Sequence, residues 1–279
     1  MTRPSRFPMA LDRVHATPGG QAKSQSGKAG SEVLRPQRPV HQAAQDAARQ
    51  QAPSGLGMDS AAVRQRMVDR LRAGGVRCDP VLQAFGRVER HRFVDTALAT
   101  QAYEDTSLPI GLQQTISKPS VVARMLALLF EGEAARKGGH LGRVLEIGTG
   151  CGYQAALLTL VSRSVVSIER LKPLHDKARA NLANAHAGDA AGDLRLLHGD
   201  GRLGHAPWGP YQSIIAAAGG EELPKAWLDQ LAPGGRLVAP MHDASRGGQV
   251  LVVVDRRPEG LVTQHHDAVH FVPLKSGTE

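Results

Sequence analysis

The stretch "RVLEIGTGCGYQAALLTLV" (143–161) constrains the chain most. A short apolar run reads as a buried strand, "GTGCG" as a tight turn, and the run after it as a helix. The alternation continues. "SVVSIE" (164–169) is a strand, "LKPLHDKARANLANA" a helix, and "LRLLHGD" a third strand. "YQSIIAAA" (211–218), "LPKAWLDQL" and "GRLVAPM" add strand, helix and strand, then "GQVLVVVDR" and a segment ending in "HFVPL" complete the chain. Strands separated by helices imply βαβ units and a parallel twisted sheet. The last two strands have no helix between them, so a C-terminal antiparallel hairpin is expected.

Upstream, "GMDSAAVRQRMVDRLRAGG" predicts a helix capped by Asp59 or Ser60 and stopped by Gly74 and Gly75. "DPVLQAFGRV" predicts a second, with Asp79 as cap and Pro80 at its first position, and "KPSVVARMLALLFE" a third from Pro119. The segment "YEDTSLPIGLQQTISKPS" (103–120) is neither a clean helix nor a clean strand, and "EGEAARKGGHLG" (131–142) reads as a polar, mobile linker. The expected organisation is a basic disordered extension over 1–57, then one domain over 58–279. In that domain 58–140 is a helical and substrate-loop part, and 141–279 the cofactor-binding sheet.

Net charge is +8, and residues 1–57 supply +5 of it, from eight Lys or Arg against three acids. With six Pro, six Gly and one aromatic, that stretch cannot offset its ordering entropy. Two cysteines, Cys78 and Cys151, exclude a disulfide scaffold and suit a reducing cytoplasm. No apolar run approaches a membrane span.

The glycine turn identifies its ligand by what it lacks. A dinucleotide fingerprint needs glycine where Tyr153 stands, and a phosphate loop needs Gly-Lys-Ser/Thr. Glu146 precedes the turn and would repel a pyrophosphate but favour an ammonium. Glu169 ends the second strand, where such sheets bind ribose hydroxyls. Asp200 and Gly201 end the third, suited to the edge of an adenine. Ribose, purine and ammonium without phosphate describe S-adenosylmethionine. Gly148, Gly150 and Gly152 would let the backbone approach it.

At this point the chain resembles the protein-L-isoaspartate (D-aspartate) O-methyltransferases. The matching stretches are "RHRFV", "AYEDTSLPIGLQQTISKP", "VLEIGTGCGYQ", "HGDG", "LAPGGRLVAP" and "FVPL", spread over roughly residues 60 to 275. The resemblance implies a Rossmann-like S-adenosylmethionine-dependent methyltransferase fold without a metal. It implies methyl transfer to the free carboxylate of isoaspartyl residues in damaged proteins, leading through methyl ester and succinimide back to aspartate. The family's active-site serine falls on Ser117, with Thr115 and Ile116 beside it. The "FVPL" strand, Val272, Pro273 and Leu274, is expected to line the substrate groove. The glutamine of a family segment falls on Gln249, as a cofactor position. One departure stands out: "AAAGGEELP" replaces an Ala-Pro-rich loop with Gly219 and Gly220.

The chemistry explains the neutral loop. A carboxylate is already ionised at neutral pH and can attack a sulfonium methyl without a general base. It needs orientation and exclusion of water rather than His or Cys. Ser117 therefore reads either as a donor to that carboxylate or as the cap of the helix from Pro119. The chain is expected to act as a monomer, without membrane or nucleic-acid partners. A nucleic-acid methyltransferase, a nicotinamide oxidoreductase and a non-catalytic cofactor-binding protein are the competing readings. The His265, His266 and His270 cluster does not match a metal-binding spacing.

Overall fold

A computed structural model describes residues 61–185 and 193–279. The extension over 1–57 and the Asp59 or Ser60 cap lie outside these residues. The centre is a seven-stranded sheet. Its strands are β3 (Arg143–Ile147), β4 (Ser164–Glu169), β5 (Asp193–His198), β6 (Tyr211–Ala216), β7 (Leu231–Asp243), β8 (Gly248–Arg257) and β9 (Gly260–Val269). The order is β5-β4-β3-β6-β7-β8-β9, parallel as far as β7 and antiparallel for β8 and β9. Helices α5 (Tyr153–Val161), α6 (Lys172–Asn184) and α7 (Lys225–Gln230) connect the parallel strands. The chain runs outward from β3 to β4 and β5, then returns to β6 on the other side of β3. That reversal opens a crevice at the carboxyl ends of β3 and β6, where open α/β sheets bind ligands. No helix among the described residues is long and apolar enough to cross a membrane.

The N-terminal part holds helices α1 (Ala61–Ala73), α2 (Asp79–Arg87), α3 (Pro119–Phe130) and α4 (Glu133–Gly138) and a small hairpin, β1 (Leu108–Gly111) and β2 (Gln114–Ile116). Helix α1 ends where Gly75 takes a left-handed φ of 99°. The cap of α2 is Cys78, not Asp79, and its side chain makes no capping hydrogen bond. The expected linker holds α4, which Glu133 and Lys137 support as an i,i+4 pair and Gly139 closes in a left-handed cap. Composition alone hid a helix of six residues.

The polar segment is the hairpin. Leu108 faces Ile116 and Gly111 faces Gln114, leaving Leu112 and Gln113 as a two-residue turn with φ of 50° and 58°. Such a turn favours Asn-Gly, because side chains resist positive φ. Gln113→Gly is therefore expected to raise stability by about 0.5–1 kcal/mol, read as a higher Tm. An unchanged or lowered Tm would show that the Gln113 side chain contributes more than its backbone costs.

The last strand differs from expectation. β9 stops at Val269, and "FVPL" continues as an extended segment outside the ladder. Gln249 Oε1 accepts from Phe271 N at 2.7 Å. Gly219 N donates to Val272 O at 2.8 Å, and Leu274 N to Gly219 O at 2.7 Å. Pro273 has no N–H to donate, so the segment is fixed by its neighbours' amides.

Candidate active site

A cavity opens at the sheet's crevice. Its floor is Ile147, Gly148, Thr149 and Gly150 from the β3–α5 turn, and one side is Glu169, Arg170 and Leu171. Thr115 and Ile116 from β2, with Ser117 just after it, form another wall, and Val272, Pro273 and Leu274 the rim. Gly201 also lines it, and a Cβ there would stand 2.5 Å from Ile147 Cγ2. The expected positions Thr115 to Ser117, Gly148, Gly150, Glu169, Gly201 and 272–274 are thus brought together. Four others, Glu146, Gly152, Asp200 and Gln249, do not line the cavity.

Each of the four has another visible contact. Gly152 starts α5 with a φ of 93°, and a Cβ there would meet Leu182 Cδ1 at 3.1 Å, so it sets helix packing. Asp200 accepts from Arg202 N at 2.9 Å and from Gly277 N at 2.7 Å. Gln249 holds Phe271, and its amide fills the space beside Gly219 that a Cβ would take. The Gly219–Gly220 departure has its physical reason here. Gly219 pairs with the 272–274 segment, and Gly220 bridges to β7, accepting from His242 N at 2.9 Å.

Glu146 lies beneath the floor, fully buried. Ser167, opposite it in the β3–β4 register, donates to Oε2 at 2.5 Å, and Thr149 Oγ1 lies 2.6 Å from Ser167 Oγ. The Gln154 amide faces the carboxyl, yet Oε1 and Gln154 Nε2 both lack a partner of hydrogen-bond geometry. Burial is the main cause that pushes the Glu146 carboxyl up to about 8; the Ser167 hydrogen bond opposes it. The protein alone thus keeps a neutral acid at pH 7, where the sequence suggested an anion. Its raised value favours the folded state most below the ordinary value of 4.5, and that contribution is lost as pH rises toward 8. Tm should therefore fall more steeply between pH 5 and 8 in the wild type than in Glu146→Gln. Parallel Tm profiles would refute this assignment.

Glu169 is set by the backbone. Oε2 accepts from Gly150 N at 2.9 Å and Oε1 from Leu171 N at 3.0 Å. The carboxylate is oriented before any ligand arrives, and carboxylate oxygens have capacity for further donors.

Ser117 follows β2 and precedes α3. The helix cap is Lys118, with no side-chain capping bond. Asp105 does that work: its oxygens accept from Ser120 N at 2.8 Å and Ser120 Oγ at 2.7 Å. The Ser117 hydroxyl is therefore not used as the cap.

Comparison with known proteins decides the family. A model of the protein-L-isoaspartate(D-aspartate) O-methyltransferase family matches residues 62–279. The chain belongs to that family. A relative from Methylibium petroleiphilum named protein-L-isoaspartate O-methyltransferase is 61% identical over 275 residues, covering 98% of this chain and 97% of the relative. One of the same name from Dechloromonas aromatica is 49% identical, over 81% of this chain and 99% of the relative. A solved protein-L-isoaspartate O-methyltransferase superposes with a TM-score of 0.66 at 26% identity, over 76% of this chain and 66% of that one. A Plasmodium falciparum structure, described as a putative member in complex with S-adenosyl-L-homocysteine, shares the fold with a TM-score of 0.61 at 23% identity, over 76% and 98%.

The residues fit the cofactor of an S-adenosylmethionine-dependent methyltransferase. A buried carboxyl oxygen has no partner, a second carboxylate is pre-set by two amides, and the turn between them holds Gly148 and Gly150 at positive φ. Among the described residues, no group of three His, Cys, Asp or Glu is placed to hold a metal. Sequence reasoning missed Ser167 and Thr149, which tie Glu146 to the turn. A serine inside the apolar strand "SVVSIE" was the available signal. It also passed over Arg90, visible only as part of "RHRFV".

Proposed function

We infer that this chain transfers a methyl group from S-adenosylmethionine to the free carboxylate of L-isoaspartyl and D-aspartyl residues in damaged proteins. The family match over 62–279 carries this reading. The cofactor, when bound, supplies an electrophilic methyl on a sulfonium. The chain's residues bind, orient and keep out water. Glu169, with both oxygens already anchored, takes the ribose hydroxyls, and Glu146 faces the ammonium from below. Asp200 acts from just outside the cavity, beside Gly201 at the adenine end, and Gln249 acts by holding the 271–274 segment.

No histidine lines the cavity among the described residues, and none is required, because the acceptor carboxylate is ionised at neutral pH. Ser117 offers its hydroxyl to that carboxylate, flanked by Thr115 and Ile116. Val272, Pro273 and Leu274 form the groove for the flanking polypeptide. Ile110, Ile116, Val122 and Ile147 make the walls apolar, which favours a step in which carboxylate and sulfonium charges cancel. We place the work in the cytoplasm, consistent with two free cysteines, and in a single chain, since one chain supplies every residue named here.

The test uses labelled S-adenosylmethionine and two peptides differing only in aspartate or isoaspartate. Base-labile methyl groups are expected on the isoaspartyl peptide alone. Label on neither, with cofactor bound, would refute the reading and favour a non-catalytic binder. Ser117→Ala should lower kcat by about tenfold or more while leaving cofactor affinity nearly unchanged. An equal loss of cofactor affinity would assign Ser117 a structural part instead.

A further inference from the structure

Arg90 is fully buried, on a short 3-10 turn that precedes the hairpin. Buried arginines normally face an acid. Arg236 shows the usual arrangement, paired through two hydrogen bonds with Asp255. Arg90 has no such partner among the described residues. Its Nε donates to Ala102 O at 2.8 Å and its Nη2 to Ser117 O at 2.7 Å. Nη1 makes no hydrogen bond of good geometry, although the Tyr153 hydroxyl interacts with the guanidinium. The guanidinium carbon lies 4.8 Å from the ring centroid of Tyr153, the first residue of α5.

These contacts locate the cation. Ser117 lines one wall of the cavity and Tyr153 lines the wall next to the glycine turn. Arg90 stands behind both. Phe85 and Phe93 pack edge-on against Tyr153, with ring centroids 6.1 and 5.5 Å away, so the ring is held in place. The Ser117 peptide is thus tied to a rigid support. A buried charge whose hydrogen bonds go to backbone carbonyls, with the Asp105 carboxylate acting only from a distance, is a poor design for adhesion alone, since an apolar side chain would fill the space without desolvating a cation. It suits a site whose ligand is an anion held beyond Ser117, near the guanidinium but not in contact with it.

We propose that Arg90 is a positioning residue for the substrate carboxylate. Its fork fixes the Ser117 carbonyl, which aims the Ser117 hydroxyl, and its charge gives the closed site a positive background. Because its donors go to backbone carbonyls, the guanidinium holds the site without gripping the carboxylate directly. A direct ion pair would stabilise the attacking anion and slow its reaction. The proposal rests on the carboxyl-methylating reading above.

Two variants separate its parts. Arg90→Lys keeps a cation but loses the planar fork; Arg90→Met loses both. The readouts are kcat and KM, Tm, S-adenosylhomocysteine affinity, and isoaspartyl-peptide affinity with S-adenosylhomocysteine present. In Arg90→Lys, kcat should fall by about tenfold to a hundredfold with peptide affinity largely kept. In Arg90→Met, peptide affinity should also weaken by about tenfold. S-adenosylhomocysteine affinity should stay within about twofold in both. Unchanged kcat in a folded Arg90→Lys protein would overturn the proposal. So would losses of kcat, peptide affinity and S-adenosylhomocysteine affinity that all track Tm. If Arg90→Met does not fold, Arg90→Lys decides alone. If the wild type methylates neither peptide, the functional reading fails first, and the peptide-binding comparison still reports on Arg90.

Discussion

Glu169→Ala is expected to weaken S-adenosylhomocysteine binding by about a hundredfold or more. Hydrogen bonds to a charged group each contribute about 1.5–3 kcal/mol, and a ribose diol offers two donors. The substitution acts twice. It removes the acceptor for the sugar, and it leaves Gly150 N and Leu171 N without their partner. Those amides belong to the glycine turn and to the loop after β4, so both sides of the cavity loosen together. Glu169→Gln should also bind poorly, because its NH2 end would face one of two backbone donors. Calorimetric titration checks this, with Asp176→Ala as control, since Asp176 pairs on the surface with Lys172. Affinity in Glu169→Ala within about threefold of wild type would remove Glu169 from the cofactor site.

Asp255→Ala should have the largest effect on stability. Arg236 and Asp255 face each other in the β7–β8 register and share two hydrogen bonds of 2.7 and 2.8 Å. Arg236 Nη1 reaches across to Leu128 O at 2.8 Å, which ties the end of α3 to the sheet. Removing Asp255 takes away two of the hydrogen bonds of a buried charge and leaves Arg236 only the half-exposed Glu131, whose Oε2 lies 3.6 Å from Nη1, at a cost of about 3 kcal/mol. For a domain of this size that is a fall in Tm on the order of 10 °C. Asp255→Asn keeps one acceptor and should lose less. Methyl transfer measured well below the lowered Tm should be nearly normal, because neither residue touches the cavity. A Tm shift of only a degree or two would mean that the pair contributes little net stability.

The sheet was legible because β3, β4 and β6 are short, mostly apolar runs of five or six residues, and pattern reports burial directly. This side of the cavity was legible for a related reason. Gly148, Gly150 and Glu169 sit at strand ends, and strand ends in such sheets converge on one crevice. What escaped was set by contacts distant in sequence. Whether Ser117 caps α3 depends on Asp105, which reaches over from the preceding loop. The 271–274 segment reads as strand, yet it is held outside the ladder by Gln249 and Gly219. Arg90 looked like one more basic residue, because nothing local says that its guanidinium ends behind Ser117. The helix Glu133–Gly138 was hidden by three glycines nearby, two of which close it.

The extended segment after β9 has a consequence for how the protein is made. The cavity takes residues from Ile110 through Lys275, so its walls come from nearly the full length of the described chain. On a ribosome, β3 to β7 emerge and can pair while the rim is still inside the exit tunnel. A nascent chain can therefore hold most of its sheet before it holds a finished cavity. A chain that stops after Val269 would retain every strand of the sheet with part of its site missing.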